Sequence, residues 1–95
     1  MTTSYERGRN AEYTVKRMLQ DKGYFVLRSA GSHTPIDLLA GNGKDRLAVQ
    51  VKYGGSLSAE AKKELLKLAK TFDATPILTR RKKGRWILTT MQEVS

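Results

Sequence analysis

Between Pro35 and Gly55 the sequence PIDLLAGNGKDRLAVQVKYGG alternates apolar residues with others on both sides of an Asn-Gly pair, and no other stretch constrains the fold as much. This pattern predicts a β-hairpin with arms at about 35–40 and 46–52. If Asn42 and Gly43 are the centre of a type I′ turn, the numbers of facing residues sum to 85; a four-residue turn makes the sum 87. Either register sends Asp37, Leu39, Ala48, Gln50 and Lys52 to one face, and Ile36, Leu38, Ala40, Leu47, Val49 and Val51 to the other. A one-residue slip mixes the two sets, so the pattern selects its own register. Diagonal neighbours across a strand pair are roughly 7–8 Å apart, so the long side chains of Gln50 and Lys52 can converge on Asp37.

The segments around the hairpin supply two helices and three more strands. Thr3 and Glu6 fit a capping box, and Ala11, Val15, Met18 and Leu19 then recur at helical spacing until Gly23, which predicts an amphipathic helix over 4–22. YFVLR, residues 24–28, reads as a strand, and the loop SAGSHT leads into the hairpin. Ser58 caps a second helix with Ala61, Leu65, Leu68 and Phe72 on one stripe and Lys63, Lys67 and Lys70 on another. TPILTR and RWILTT close the chain as two strands around a basic turn. The order αβββαββ predicts a small α/β fold with a mixed central sheet flanked by helices. A length of 95 residues predicts one domain, 1–95, with one core and little room for a large cleft.

Charge narrows the partners. Eighteen Lys and Arg against nine Asp and Glu leave a net charge of +9, spread over both halves of the chain. A polyanion is the expected partner, nucleic acid ahead of an anionic membrane surface, because no apolar run approaches the ~20 residues of a membrane span. The start MTTSYERGRN has no apolar secretory core, so the expectation is a cytoplasmic, intracellular protein. With no cysteine, disulfides, thiolate metal sites and cysteine nucleophiles are excluded.

Asp37, Gln50 and Lys52 have a plain reading as the solvated face of an amphipathic hairpin, or as an Asp–Lys salt bridge. Leu39 and Ala48 make that face only half polar, and a sheet covered by helices on both sides makes an unpaired carboxylate costly. The alternative is chemical. Hard oxygen ligands for Mg²⁺ and an ammonium beside the nucleophile or the developing charge are what phosphodiester hydrolysis requires.

RSAGSHTPIDLLAGNGKDRLAVQVK, Arg28 to Lys52, resembles the core of the archaeal-type Holliday junction resolvases, small homodimeric nucleases of the PD-(D/E)XK superfamily. The Gly-plus-basic start leading to Ala11-Glu12, the GYFVLRSAGS segment, the basic second helix and the closing strands follow the family in order and spacing, so the likeness covers nearly the whole chain; a viral or phage member fits it as well. The resemblance implies a restriction-endonuclease-like fold, a Mg²⁺ cofactor with Mn²⁺ as substitute, a homodimer and four-way DNA junctions as partner. Position by position, it makes Asp37 a metal ligand, Gln50 the counterpart of the second acidic ligand, the Val51 carbonyl a backbone ligand, Lys52 the catalytic lysine and Glu12 the additional active-site glutamate. Arg28 and Ser32 match residues that act near the scissile phosphate. Without the family, Glu12 reads as a surface partner of Lys16, Arg28 as a solvated charge, and Ser32 and His33 as loop residues.

Two positions depart from the family pattern. Tyr13 stands where an arginine commonly follows the helix glutamate, so that phosphate contact is either absent or supplied by Arg9 or Lys16. Gln50 keeps an oxygen but discards a negative charge, as either a natural variant or an inactivating substitution. Candidate DNA contacts are Arg7, Arg9, Lys16, Arg28, Ser32, Tyr53, Lys63 and Lys67, together with Arg80, Arg81, Lys82 and Lys83 in the closing turn. The expected function is metal-dependent, symmetric nicking of four-way junctions. A junction-binding protein that does not cut, or a nuclease for other branched or repair DNA, is the alternative.

Overall fold

The computed structural model describes residues 4–29, 34–54 and 57–91, with the backbone alone at 4–6. The element order is α1 Ser4–Asp21, β1 Phe25–Arg28, β2 Leu38–Gly41, β3 Arg46–Lys52, α2 Ala59–Thr71, β4 Thr75–Lys82 and β5 Arg85–Thr90, the αβββαββ order read from the sequence. The capping box at Thr3, and Ser32 and His33, lie outside the described residues.

The five strands form one sheet in chain order. Every neighbouring pair is antiparallel except β3 and β4, which run parallel because α2 carries the chain across the sheet between them. The helices cover opposite faces. Ala11, Val15 and Leu19 of α1 pack on Val26, Leu38, Ala40, Val49, Val51 and Ile77, whereas Leu65 and Ala69 of α2 pack on Ala48 with Leu57 and Ile36.

Both helices end by the same backbone device. Beyond α1, Tyr24 N–H reaches Leu19 O and Gly23 N–H reaches Gln20 O, with Gly23 at φ 95°. Beyond α2, Ala74 N–H reaches Ala69 O and Asp73 N–H reaches Lys70 O, with Asp73 at φ 52°. These are Schellman closures, and the second sets a non-glycine residue in the left-handed region. Ser58 accepts the Ala61 N–H at 3.1 Å, which bears out its reading as the cap of α2.

Of the two hairpin registers open from the sequence, the chain takes the one summing to 87: Leu38 pairs with Val49 and Gly41 with Arg46. The cause is Asn42, whose Oδ1 accepts from the backbone N–H groups of Lys44 and Asp45 and so organises a four-residue turn. Two expectations are corrected. Ile36 packs on the α2 side rather than with Leu38. Asp37 N–H bonds to Val49 O even though Val49 is the Cα partner of Leu38, so the pairing shifts by one residue and the alternation reverses there, as at a bulge. Secondly, Phe72 is 52% exposed at the C-cap of α2, and Ala69 takes the buried place on that stripe.

Candidate active site

The one-residue shift at Asp37 shapes the site. The regular pairing of β2 with β3 ends there, while β3 continues to Lys52 alongside β4. A strand N–H that has lost its ladder carbonyl needs another acceptor. Asp37 Oδ2 supplies it, accepting from Val51 N–H at 2.8 Å and from Gln50 Nε2 at 2.8 Å. Burial of the half-covered carboxyl raises the pKa of Asp37 from 3.8 to about 6; the Val51 hydrogen bond opposes the rise, Glu12 adds to it, and Lys52 and Arg28 pull it back. Asp37 therefore senses all the charged groups that the sequence assigned to the site within the described residues.

The orientation of Gln50 follows from its neighbours. Its Nε2 lies 2.8 Å from Asp37 Oδ2 and 3.3 Å from Val51 O, and both oxygens only accept when Asp37 is ionised. The amide nitrogen must face them, with Oε1 turned away. A partly positive group is thus held between a carboxylate and a backbone carbonyl, the hard-oxygen pair that also suits a divalent cation. Among the described residues no three His, Cys, Asp or Glu side chains converge on one metal position. Asp37 Oδ2, Val51 O and the Glu12 carboxylate are hard oxygens of the kind a divalent cation takes, and the Gln50 amide would add its own only after turning over.

Glu12 comes from α1. Its Oε1 accepts from Arg28 Nε at 2.8 Å, with both side chains about one-fifth exposed. This replaces the Glu12–Lys16 surface pairing considered from sequence. The Arg28 guanidinium carbon sits 5.1 Å from the centre of the Tyr13 ring, so the tyrosine that stands in the place of an expected arginine braces one instead. That role was missed; its only sequence signal was the adjacency of Tyr13 to Glu12.

The remaining predicted residues divide between the two faces of the sheet. Arg7 lines a groove with Tyr53, Arg81 and Trp86 at the start of α1, whereas Lys63 and Lys67 are exposed on α2, across the sheet. Lys16 is half-buried, and Arg9, Arg80, Lys82 and Lys83 are exposed. Trp86 was read only as a strand residue; the pairing of Arg81 with Trp86 brings it to the α1 side.

A mixed sheet between two helices, opened at one strand end around an aspartate and followed by Gln-x-Lys, defines a nuclease fold. The model of the archaeal Holliday junction resolvase (Hjc) family matches residues 3–95, and the chain belongs to that family. It is similar to the crossover junction endodeoxyribonuclease Hjc of Methanocaldococcus jannaschii, with 32% identity over 82 residues, 82% of this chain. The chain spans about 61% of the length of that relative. Among solved structures it resembles Archaeoglobus fulgidus Hjc, a Holliday junction resolvase from an archaeal hyperthermophile, with a TM-score of 0.77 and 28% identity over 88% of this chain and 72% of the other.

Proposed function

We propose that this chain is a metal-dependent, structure-selective endonuclease domain, 1–95, that binds four-way DNA junctions as a homodimer and nicks two strands symmetrically. The observation that carries the reading is Asp37 Oδ2 at the end of the β2–β3 ladder, 2.8 Å from both Gln50 Nε2 and Val51 N and under the influence of Glu12, Lys52 and Arg28. Family membership supports a branched-DNA partner, and a net charge of +9 agrees with it. No described helix is long and apolar enough to cross a membrane.

In this reading Asp37, Glu12, the Val51 carbonyl and Gln50 hold Mg²⁺, for which Mn²⁺ substitutes. The bound ion supplies positive charge at the phosphate and acidifies a water. Lys52 places its ammonium by the attacking water or the developing charge. Arg28, held by Glu12 and Tyr13, presents a cation to the phosphate, and Ser32, four residues on in the sequence, would act there with it. To lend Oε1, the Gln50 carboxamide turns over about its last, soft torsion and releases both of its present acceptors. Symmetric nicking needs two such sites, hence two copies. The exposed apolar side chains Phe25, Leu27 and Phe72, which line one shallow groove beside the sheet-edge strand β1, support contact between copies there.

A second reading follows from the same amide. Its hydrogen bonds to Asp37 and Val51 keep the site satisfied without an ion, as a junction-binding protein that does not cut requires. A Mg²⁺ titration of junction nicking, starting from metal-stripped protein and using the parent, Lys52→Ala and Gln50→Glu, separates the two. For an active nuclease, Lys52→Ala loses cleavage by orders of magnitude while retaining junction binding, and Gln50→Glu reaches half-maximal cleavage at lower Mg²⁺. An inert parent that Gln50→Glu activates establishes the non-cutting form. Loss of activity in Gln50→Glu makes the amide itself a working part of the site.

A further inference from the structure

One residue beyond Lys52, on the α1 side of the sheet, a groove of about 460 Å³ runs between the first turns of α1 and the β4–β5 hairpin. Its chemistry is not that of a surface for phosphates alone. Tyr53 is 45% exposed, the Arg81 guanidinium carbon lies 5.8 Å from the centre of its ring, and Trp86 packs beside it with ring centres 6.4 Å apart and planes inclined at 57°. Arg7 adds a second cation, and among the described residues no carboxylate lines the groove. Gly84, in the tight turn with φ 77°, leaves the rim without a side chain. Asn10, exposed on the opposite wall, offers both a donor and an acceptor.

We propose that this groove binds an unpaired nucleotide, its base stacked against the Arg81–Tyr53–Trp86 cluster and its phosphates neutralised by Arg7 and Arg81. Aromatic faces recognise bases only where those bases are out of the duplex stack, and stacking tolerates any sequence because every base has a π-face. A fully paired arm offers the groove only backbone and groove edges. The ligand class is therefore single-stranded DNA. That its source is an opened branch point rests on the proposed function; the binding itself does not.

Trp86 is the only tryptophan in the chain, so its fluorescence reports on the groove directly. Metal-stripped protein is titrated at low salt with an oligothymidylate and with an abasic deoxyribose-phosphate oligomer of equal length. The thymidylate should bind about tenfold more tightly and quench Trp86, as a stacking interaction of this size requires. Tyr53→Ser should remove that preference and Tyr53→Phe should keep it. Equal affinity for the abasic oligomer, or no binding of either, overturns the proposal. An unchanged base preference in a Tyr53→Ser variant that melts cooperatively also overturns it. The abasic comparison needs no variant, so a folding defect cannot obscure it. No cutting, junction or metal enters the measurement, so failure to nick junctions counts against the proposed function and leaves this groove untouched.

Discussion

The β2–β3 and β4–β5 hairpins are built from the same kind of strand pair and end differently. β4 and β5 stay paired from Lys82–Arg85 at the turn to Ile77–Thr90 at the far end. β2 and β3 pair from Gly41–Arg46 to Leu38–Val49, and the register then shifts at Asp37. Where pairing persists, the polar side chains face solvent or the groove as a display of cations. Where it breaks, a strand N–H takes a carboxylate instead, and that carboxylate is left half-buried with its pKa raised to about 6. In the proposed function, the interrupted ladder would supply the reactive site and the intact one a surface for a polyanion.

The largest expected effect breaks that contrast at Asp37. Asp37→Asn removes the charge that would hold the ion, and junction nicking should fall by orders of magnitude at every Mg²⁺ concentration. Stability should move the other way. A folded-state pKa raised from 3.8 to about 6 means that the folded protein holds this proton more tightly than the unfolded chain, so its stabilising effect is complete below about pH 4 and is lost as pH rises toward 6. In EDTA the parent should therefore lose stability relative to Asp37→Asn across that window. Above pH 6 the variant should be the more stable by on the order of 1–2 kcal/mol, discounted for the partial exposure of the site. Thermal melts at pH 4, 5, 6 and 7 check this; a difference that shrinks with pH contradicts the assignment.

The opposite hairpin should respond in binding. Replacing Arg80, Arg81, Lys82 and Lys83 together by Gln should weaken junction affinity in EDTA by tenfold or more at moderate salt. The slope of log affinity against log salt should become shallower by about 0.9 for each phosphate that is no longer neutralised. An unchanged slope would move DNA away from this hairpin and toward the α2 lysines.

How much of this was legible in the sequence follows from what each feature depends on. The element order, the two helix faces and the Ser58 cap come from local periodicity and local hydrogen bonding, which the chain carries in its residue order. Asp37, Gln50 and Lys52 were legible as a group because strand alternation is strict over β3. The side taken by Ile36 and the choice between the two hairpin registers were not, because they depend on Asn42 folding a longer turn and on Asp37 N–H choosing the Val49 carbonyl, outcomes of competing hydrogen bonds that no alternation pattern encodes. The Tyr13–Arg28 contact and the Trp86 groove depend on how α1 crosses the sheet, which is a tertiary result.

A smaller effect lies under β4. Thr79 is fully buried among apolar side chains of the α1-facing core, and among the described residues its hydroxyl has no hydrogen-bond partner. It pairs with Val51 on one side and Leu88 on the other, so it belongs to the hairpin that stays paired to its end. Thr79→Val keeps the shape and removes the buried donor, and should raise stability by about 1 kcal/mol. A neutral or destabilising melt would mean that the hydroxyl has a partner, and the paired hairpin would then be satisfied throughout.

The smallest effect exchanges the two turns. A two-residue type I′ turn needs positive φ at both central positions, and Asn-Gly is its preferred pair. The chain has that pair at Asn42-Gly43 but folds it into a four-residue turn, with Asn42 Oδ1 taking the N–H groups of Lys44 and Asp45 at 2.9 and 2.6 Å. The two-residue turn is made by Lys83 and Gly84, at φ 51° and 77°, where lysine has no side-chain reason to be left-handed. Lys83→Asn should therefore stabilise the β4–β5 hairpin by about 0.5 kcal/mol, since Asn tolerates this region better than other non-glycine residues. It also removes one cation, so if Lys83 touches a phosphate the salt slope of junction binding becomes shallower by about 0.9 in the same variant. Higher stability with an unchanged slope assigns Lys83 to the turn alone; lower stability with a shallower slope means that lysine is kept there for DNA and holds the turn by contacts with its neighbours.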